Sequence, residues 1–198
     1  KCDVTSRKEI DRTFRDICNI YGGIDVLVCN AGAPWQGEIG QVSDEILKKS
    51  LNLNFYSHHY LSQETIKIML KQKTGGSLLY NISKQSINPG KNFGPYGIAK
   101  AATLFLMRQY ALEYGKDNIR VNGVNPDRVN TGFGGRGYIS KRAKARGIST
   151  RSYVSDNLLK TEVLPEDVAD AFVNLTKSKK TTGNILTVDG GNISATLR

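Results

Sequence analysis

The chain has 198 residues, 39% hydrophobic and 23% charged, and a net charge of +10, proportions that suit one globular domain. No stretch approaches the roughly 18 apolar residues of a membrane span, and no signal peptide opens the chain, so a cytoplasmic protein without membrane contact is expected. Cys2, Cys18 and Cys29 lack CxxC spacing, and the only histidines, His58 and His59, are adjacent, which argues against a disulfide scaffold and against a metal site. Excess positive charge invites a nucleic-acid reading. Seven of the ten net charges, however, sit between Arg128 and Ser155, where no acidic residue occurs, so no nucleic acid is expected as a partner.

Taken in order, Cys2-Asp3-Val4 reads as the end of a strand. Ser6 and Glu9 are spaced as a capping box, and Ile10, Phe14, Ile17 and Tyr21 make one apolar helical face, closed by Gly22-Gly23. Ile24 to Val28 is an apolar run broken by one aspartate, the pattern of a strand covered on both faces. Strand, helix and strand within about 30 residues form a βαβ unit and therefore a parallel sheet. Asn30-Ala31-Gly32 follows at the carboxyl end of that strand, where such sheets bind ligands and small residues admit them close to the backbone. Ser43 caps a long helix from Asp44 to Leu70 with Asn52 and Asn54 inside it. An asparagine in mid-helix either faces solvent or serves a particular hydrogen bond.

Ser77 to Ile82 is a short buried strand, followed by a polar turn and then by Pro95, placed where a helix starts. Tyr96 and Lys100 stand at i and i+4, on one helical face. An ammonium beside a phenol favours the phenolate and is expected to lower the Tyr96 pKa. A tyrosine tuned that way exchanges a proton with a substrate oxygen near neutral pH. Ser83, thirteen positions earlier, can hydrogen-bond the same oxygen. The helix runs to Gly115, and Ile119 to Val124 is a strand ending in Pro126-Asp127-Arg128-Val129-Asn130-Thr131. The basic block then reads as a solvated surface helix around Lys141–Arg146, or as a cationic lid hinged on Gly132, Gly134, Gly135 and Gly137 that favours an anionic ligand. A helix from Pro165 and a strand over Ile185–Val188, ending in Asp189-Gly190-Gly191, complete the pattern.

The Ser83, Tyr96 and Lys100 set, with Asn30-Ala31-Gly32 and Asp189-Gly190-Gly191, resembles the short-chain dehydrogenase/reductase family over nearly the whole chain. That resemblance implies an α/β fold with a doubly wound, Rossmann-like parallel sheet and NAD- or NADP-dependent oxidoreductase activity. It assigns catalysis to Ser83, Tyr96, Lys100 and Asn54, the last lying 24 residues after Asn30, where the family anchors a proton-relaying water. It assigns cofactor contacts to Asp3, Asn30, Ala31, Gly32, Tyr96, Lys100, Pro126 and Thr131. Asp3 reads equally well as a helix cap, and Asp127 stands where the family usually has glycine, which puts a charge near that loop. The family's opening glycine-rich turn is absent, so residues 1–198 are expected to be the C-terminal part of one such domain. They would lack its first two βα units, be inactive alone and carry a lid-like basic segment at 128–155. Within the family the similarity is greatest to the dehydrogenase half of bifunctional aldolase/short-chain dehydrogenases of the rhamnulose-1-phosphate aldolase/alcohol dehydrogenase type. This points to NAD, to a small hydroxy/aldehyde substrate such as lactaldehyde and to a homo-oligomer. The alternative is a non-catalytic dinucleotide-fold module that senses cofactor.

Overall fold

The computed structural model describes residues 1–131, 133–135 and 137–192. Gly132 and Arg136 of the proposed hinge and basic block, and the final residues 193–198, lie outside that set. Four parallel strands, β1 (Val26–Cys29), β2 (Gly76–Asn81), β3 (Ile119–Pro126) and β4 (Ile185–Val188), lie side by side in chain order. Their register sets Leu27 beside Leu78 and Leu78 beside Val121. Helices cover both faces, as a doubly wound sheet requires.

On one face, Leu78, Tyr80, Ile82 and Val121 pack against α3 (Ser57–Gln72) and α4 (Gly94–Tyr114) through Ile66, Met69, Leu104 and Met107. On the other, Leu79 and Val124 meet α7 (Pro165–Lys177) through Val168, Ala171 and Leu175. Leu78 and Leu79 are fully buried, each contributing about 1.5–3 kcal/mol by removal from water. Successive strand residues serve opposite faces, so β2 supplies both cores from one short run.

Several local expectations change. Cys2–Val4 is not a strand: the Asp3 amide donates to Glu9 Oε2 (2.8 Å) and its carbonyl accepts from the Ser6 amide (3.0 Å), folding the segment into a turn. Ser6 caps α1 (Arg7–Tyr21), accepting from the Glu9 amide, but Glu9 reaches Asp3 and leaves the box half-formed. Ile10 and Phe14 of the apolar face are buried, whereas Tyr21 is 78% exposed. The β1 strand is not covered on both faces. Val26 and Val28 stand exposed while Cys29 is buried, because β1 is an edge strand and no described element covers that half of its second face.

The long helix forms as α2 (Asp44–Leu51), a π-helical turn over Asn52–Tyr56 and α3. Ser43 caps it by accepting from the Ile46 amide. The extra residue in a π turn rotates the helix beyond it, and such turns commonly mark functional positions. Here it turns Asn54 fully inward and leaves Asn52 exposed. No helix among the described residues is long and apolar enough to cross a membrane.

Candidate active site

A cleft of about 720 Å³ opens at the carboxyl ends of β1, β2 and β3. Asn30, Ala31, Gly32, Ser83, Tyr96, Lys100, Pro126 and Thr131 all line it. Strand order alone gathers these residues, which come from three separate stretches of the chain. Asp3 stands elsewhere, on an exposed turn where its carboxylate accepts from the Thr5 amide (2.9 Å) and hydroxyl (2.7 Å). Asn54 lies just behind the cleft wall. Its amide pairs with both backbone groups of Ala33, accepting from N (3.1 Å) and donating to O (3.0 Å), and it also donates to the Ser50 carbonyl. Gly32 makes that approach possible, since a β-carbon there would stand 2.8 Å from Asn54 Oδ1.

Asn54→Ala would leave two backbone groups of the Asn30–Ala33 loop unpaired, and should destabilise the protein by about 2–3 kcal/mol. Asn52→Ala, on the exposed side of the same turn, should stay within about 0.5 kcal/mol. Urea unfolding of the two variants distinguishes the positions; equal effects would overturn the assignment of Asn54.

Tyr96 sits one turn into α4, with Pro95 at the helix start. Its hydroxyl shares the cleft with Ser83, which stands just beyond β2 and draws the phenol's pKa down. The Lys100 ammonium donates to the Asn81 carbonyl (2.7 Å) and lies 5.8 Å from the centre of the Tyr96 ring. Asn81 also donates through its amide to Asn30 Oδ1 (2.6 Å), so one residue ties the lysine to the loop after β1.

The expected fall in the Tyr96 pKa is not found. Burial pushes the phenol upward, and Ser83 only partly offsets it. Lys100 is buried as well, and desolvation brings its ammonium down to about 8. Both groups are 6% exposed or less. In a low dielectric the charged form of each is penalised, which outweighs the attraction between phenolate and ammonium that the spacing suggests.

Other residues join the site without standing out in the sequence. Fully buried His58, one turn after Asn54, donates from Nε2 to the Ala31 carbonyl (2.8 Å), and burial holds its pKa down at about 3, keeping it neutral. Its i, i+4 spacing from Asn54 is the available signal. Asp127 is not a stray charge. Its carboxylate takes Lys84 Nζ (2.9 Å), the Asn192 amide (2.6 Å) and Arg128 Nε (3.6 Å), fastening the loop after β3 to the turn after β2 and to the end of β4. The basic segment folds into α5 (Tyr138–Lys144) and α6 (Thr150–Val154), whose Ile139, Ala143, Tyr153 and Val154 form a small core of their own. Tyr138, Ile139, Arg142, Arg146 and Tyr153 close one wall of the cleft. Phe133, scattered from the other aromatics along the chain, lies 5.9 Å from Tyr96 and 6.5 Å from Tyr138, ring centre to ring centre. Among the described residues no group of three His, Cys, Asp or Glu is placed to hold a metal.

Parallel sheet, carboxyl-end cleft and adjoining serine, tyrosine and lysine together define a Rossmann-like α/β protein with a candidate site at the carboxyl ends of its strands. Known proteins make the class specific. The family model described as enoyl-(acyl carrier protein) reductase matches residues 1–192. The chain is 36% identical over 201 residues to the "Uncharacterized oxidoreductase YuxG" of Bacillus subtilis (strain 168), covering 96% of this chain and 29% of that protein. It is 30% identical over 197 residues to "Dehydrogenase/reductase SDR family member 4" of Sus scrofa, covering 98% of this chain and 68% of that one. Among solved structures, aldohexose dehydrogenase of Thermoplasma acidophilum in ligand-free form superposes with a TM-score of 0.84 at 27% identity, covering 96% of this chain and 76% of that chain. The chain belongs to the short-chain dehydrogenase/reductase family of oxidoreductases. It spans under a third of the Bacillus relative's length and 51% of that of the Oryctolagus cuniculus SDR family member 4.

Proposed function

We propose that this chain carries the catalytic portion of a dehydrogenase that moves hydride between a nicotinamide cofactor and a small, lactaldehyde-sized hydroxy/aldehyde compound. The observation that carries the reading is that Ser83, Tyr96 and the Lys100 ammonium, 5.8 Å from the Tyr96 ring centre, stand together on the wall of one cleft. The cleft suits the nicotinamide end of such a cofactor. It offers the Lys100 ammonium and the Thr131 hydroxyl, and Asn81 Oδ1 is a buried acceptor without a partner among the described residues. Asn30, Ala31, Gly32, Pro126 and Thr131 would hold that end, Asp3 would reach the adenine end, and the bound cofactor would supply or take the hydride.

The rest is this chain's own chemistry. Ser83 orients the substrate oxygen by hydrogen bonding. Tyr96, kept protonated by burial, donates its proton to the carbonyl oxygen in the reducing direction and recovers it from the alcohol in the other. Lys100, titrating near 8, stabilises the phenolate that forms, returns a proton to it and is itself reprotonated through the Asn54 side of the site. Segment 128–155 acts as a lid that keeps water from the reacting groups.

NAD is favoured over NADP, and the cell compartment is the cytoplasm. The natural protein is a bifunctional aldolase/dehydrogenase and a homo-oligomer. The test is a steady-state assay of the intact protein with NAD or NADP and short hydroxyaldehydes. Reversible cofactor binding with no turnover of any probe would replace this reading by that of a non-catalytic cofactor sensor.

A further inference from the structure

Resting on the oxidoreductase reading, we infer that the substrate bears an anionic group, carboxylate or phosphate, a few atoms from its reacting carbon, and that Arg142 receives it. Arg142 leans from α5 over Phe93, its guanidinium carbon 4.4 Å from the ring centre. Phe93 in turn stands edge-on to Tyr96, 6.2 Å between ring centres. The guanidinium therefore lies no farther from the Tyr96 ring than those two distances laid end to end, and all three side chains line one cleft. One small substrate within this cleft can therefore face the Tyr96 hydroxyl at its reacting carbon and Arg142 at its anionic group.

Charge within the cleft is unbalanced. Asp127 is the only acidic residue among its described lining residues, and Lys84, Arg128 and Asn192 already hold its carboxylate. Arg128 has a second carboxylate in Asp156 (2.8 Å). Arg142 and Arg146 have no carboxylate partner among the described residues, and Arg142 Nε is buried with no hydrogen-bond partner there. Buried donors are almost always satisfied, and one left over at a cleft wall calls for a ligand acceptor. A guanidinium over an aromatic ring is weakly hydrated and can still offer N–H groups to the paired oxygens of a carboxylate or phosphate. The aromatic walls around it, Phe93 and Phe133, strengthen its pull on an anion by excluding water. Arg146, stacked on Tyr153 at 5.1 Å and donating to the Arg142 carbonyl, adds positive potential from behind.

Reduction of three-carbon probes by the intact protein tests this: hydroxyacetone as the neutral probe, hydroxypyruvate as the carboxylate and dihydroxyacetone phosphate as the phosphate, with the reduced cofactor at saturation. The wild type should favour an anionic probe, and Arg142→Gln should lower the anionic-to-neutral ratio of kcat/KM by about 10- to 100-fold, the range for one lost charged hydrogen bond. Most of that change should appear in KM for the anion. Arg142→Lys, which keeps the charge but not the fork, should recover only part of it. Arg142→Met, whose unbranched chain still covers Phe93, repeats the experiment if the glutamine variant does not fold. A ratio equal in wild type and variants overturns the inference, as does a rise in cofactor KM larger than that for the anionic probe, which would give Arg142 to the cofactor's phosphates. Calorimetric titration of hydroxypyruvate and dihydroxyacetone phosphate separates the anion site from the dehydrogenase reading. Arg142-dependent binding without turnover leaves the anion site standing and removes the dehydrogenase reading, whereas neither binding nor turnover removes both.

Discussion

Tyr96→Phe should lower kcat of the intact protein by about 10²-fold or more, the usual contribution of a positioned acid/base group, with much less effect on cofactor binding. The substitution removes one oxygen from a buried position and keeps the ring, so contacts with Phe93 and Phe133 survive. What disappears is the hydroxyl that faces the cleft beside Ser83 and would pass its proton to the substrate. Stopped-flow and steady-state rates, with cofactor affinity measured in parallel, provide the check. A variant retaining the parent's kcat would sink the role given to Tyr96, whatever the family resemblance. Because burial raises the phenol's pKa, the reducing direction should stay active to higher pH than an ordinary tyrosine would allow.

The second large effect concerns Lys100 and is one of stability rather than rate. Its ammonium titrates near 8 in the fold against 10.5 when free, so the unfolded chain binds more protons between those values. Unfolding is then favoured at the lower end, and stability contributed by this site rises as pH climbs from about 8 to 10.5. Two and a half pK units correspond to about 3 kcal/mol. Relative to Lys100→Met, the wild type should gain about that much across the window and nothing comparable between pH 6 and 7. Cys29 and Tyr96, whose folded pKa values burial raises, lower stability in part of the same window, but they do so in both proteins and cancel in the difference. Urea midpoints for both proteins at four pH values measure it. A constant difference between the two curves would show that Lys100 is not desolvated as its position implies.

Both effects turn on a pair whose spacing and whose surroundings are settled at different levels. An i, i+4 tyrosine and lysine are legible in the sequence, and so is their nearness, because helical periodicity is a local property. The sign of the phenol's shift is not legible. It depends on how much water surrounds the pair, and that is decided largely by Phe133 and the segment around Tyr138, which come to Tyr96 from another part of the chain. In the same way the choice of Asn54 over Asn52 comes from a count of residues, but the physical reason for it is a π turn that no propensity announces. His58 reads from the sequence only as a poor metal ligand, since nothing local shows that Ala31's carbonyl waits across the gap between α3 and the loop after β1.

By itself the sequence located the four strands, the helix starts at Ser6, Ser43 and Pro95, and the members of the Ser83, Tyr96 and Lys100 set. Apolar runs, caps and short-range spacing act within a few residues and can be read one stretch at a time. Only the tertiary structure decided which faces are wet. It left Tyr21, Val26 and Val28 exposed where local pattern buries them, because burial needs a covering partner and a strand at the sheet edge has one on a single face. It also placed Asp127 between Lys84 and Arg128, and set Arg142 against Phe93 at the mouth of the site. Those contacts join residues about 43 and 49 positions apart along the chain, and packing of whole elements, not the preference of any local segment, brings such residues together.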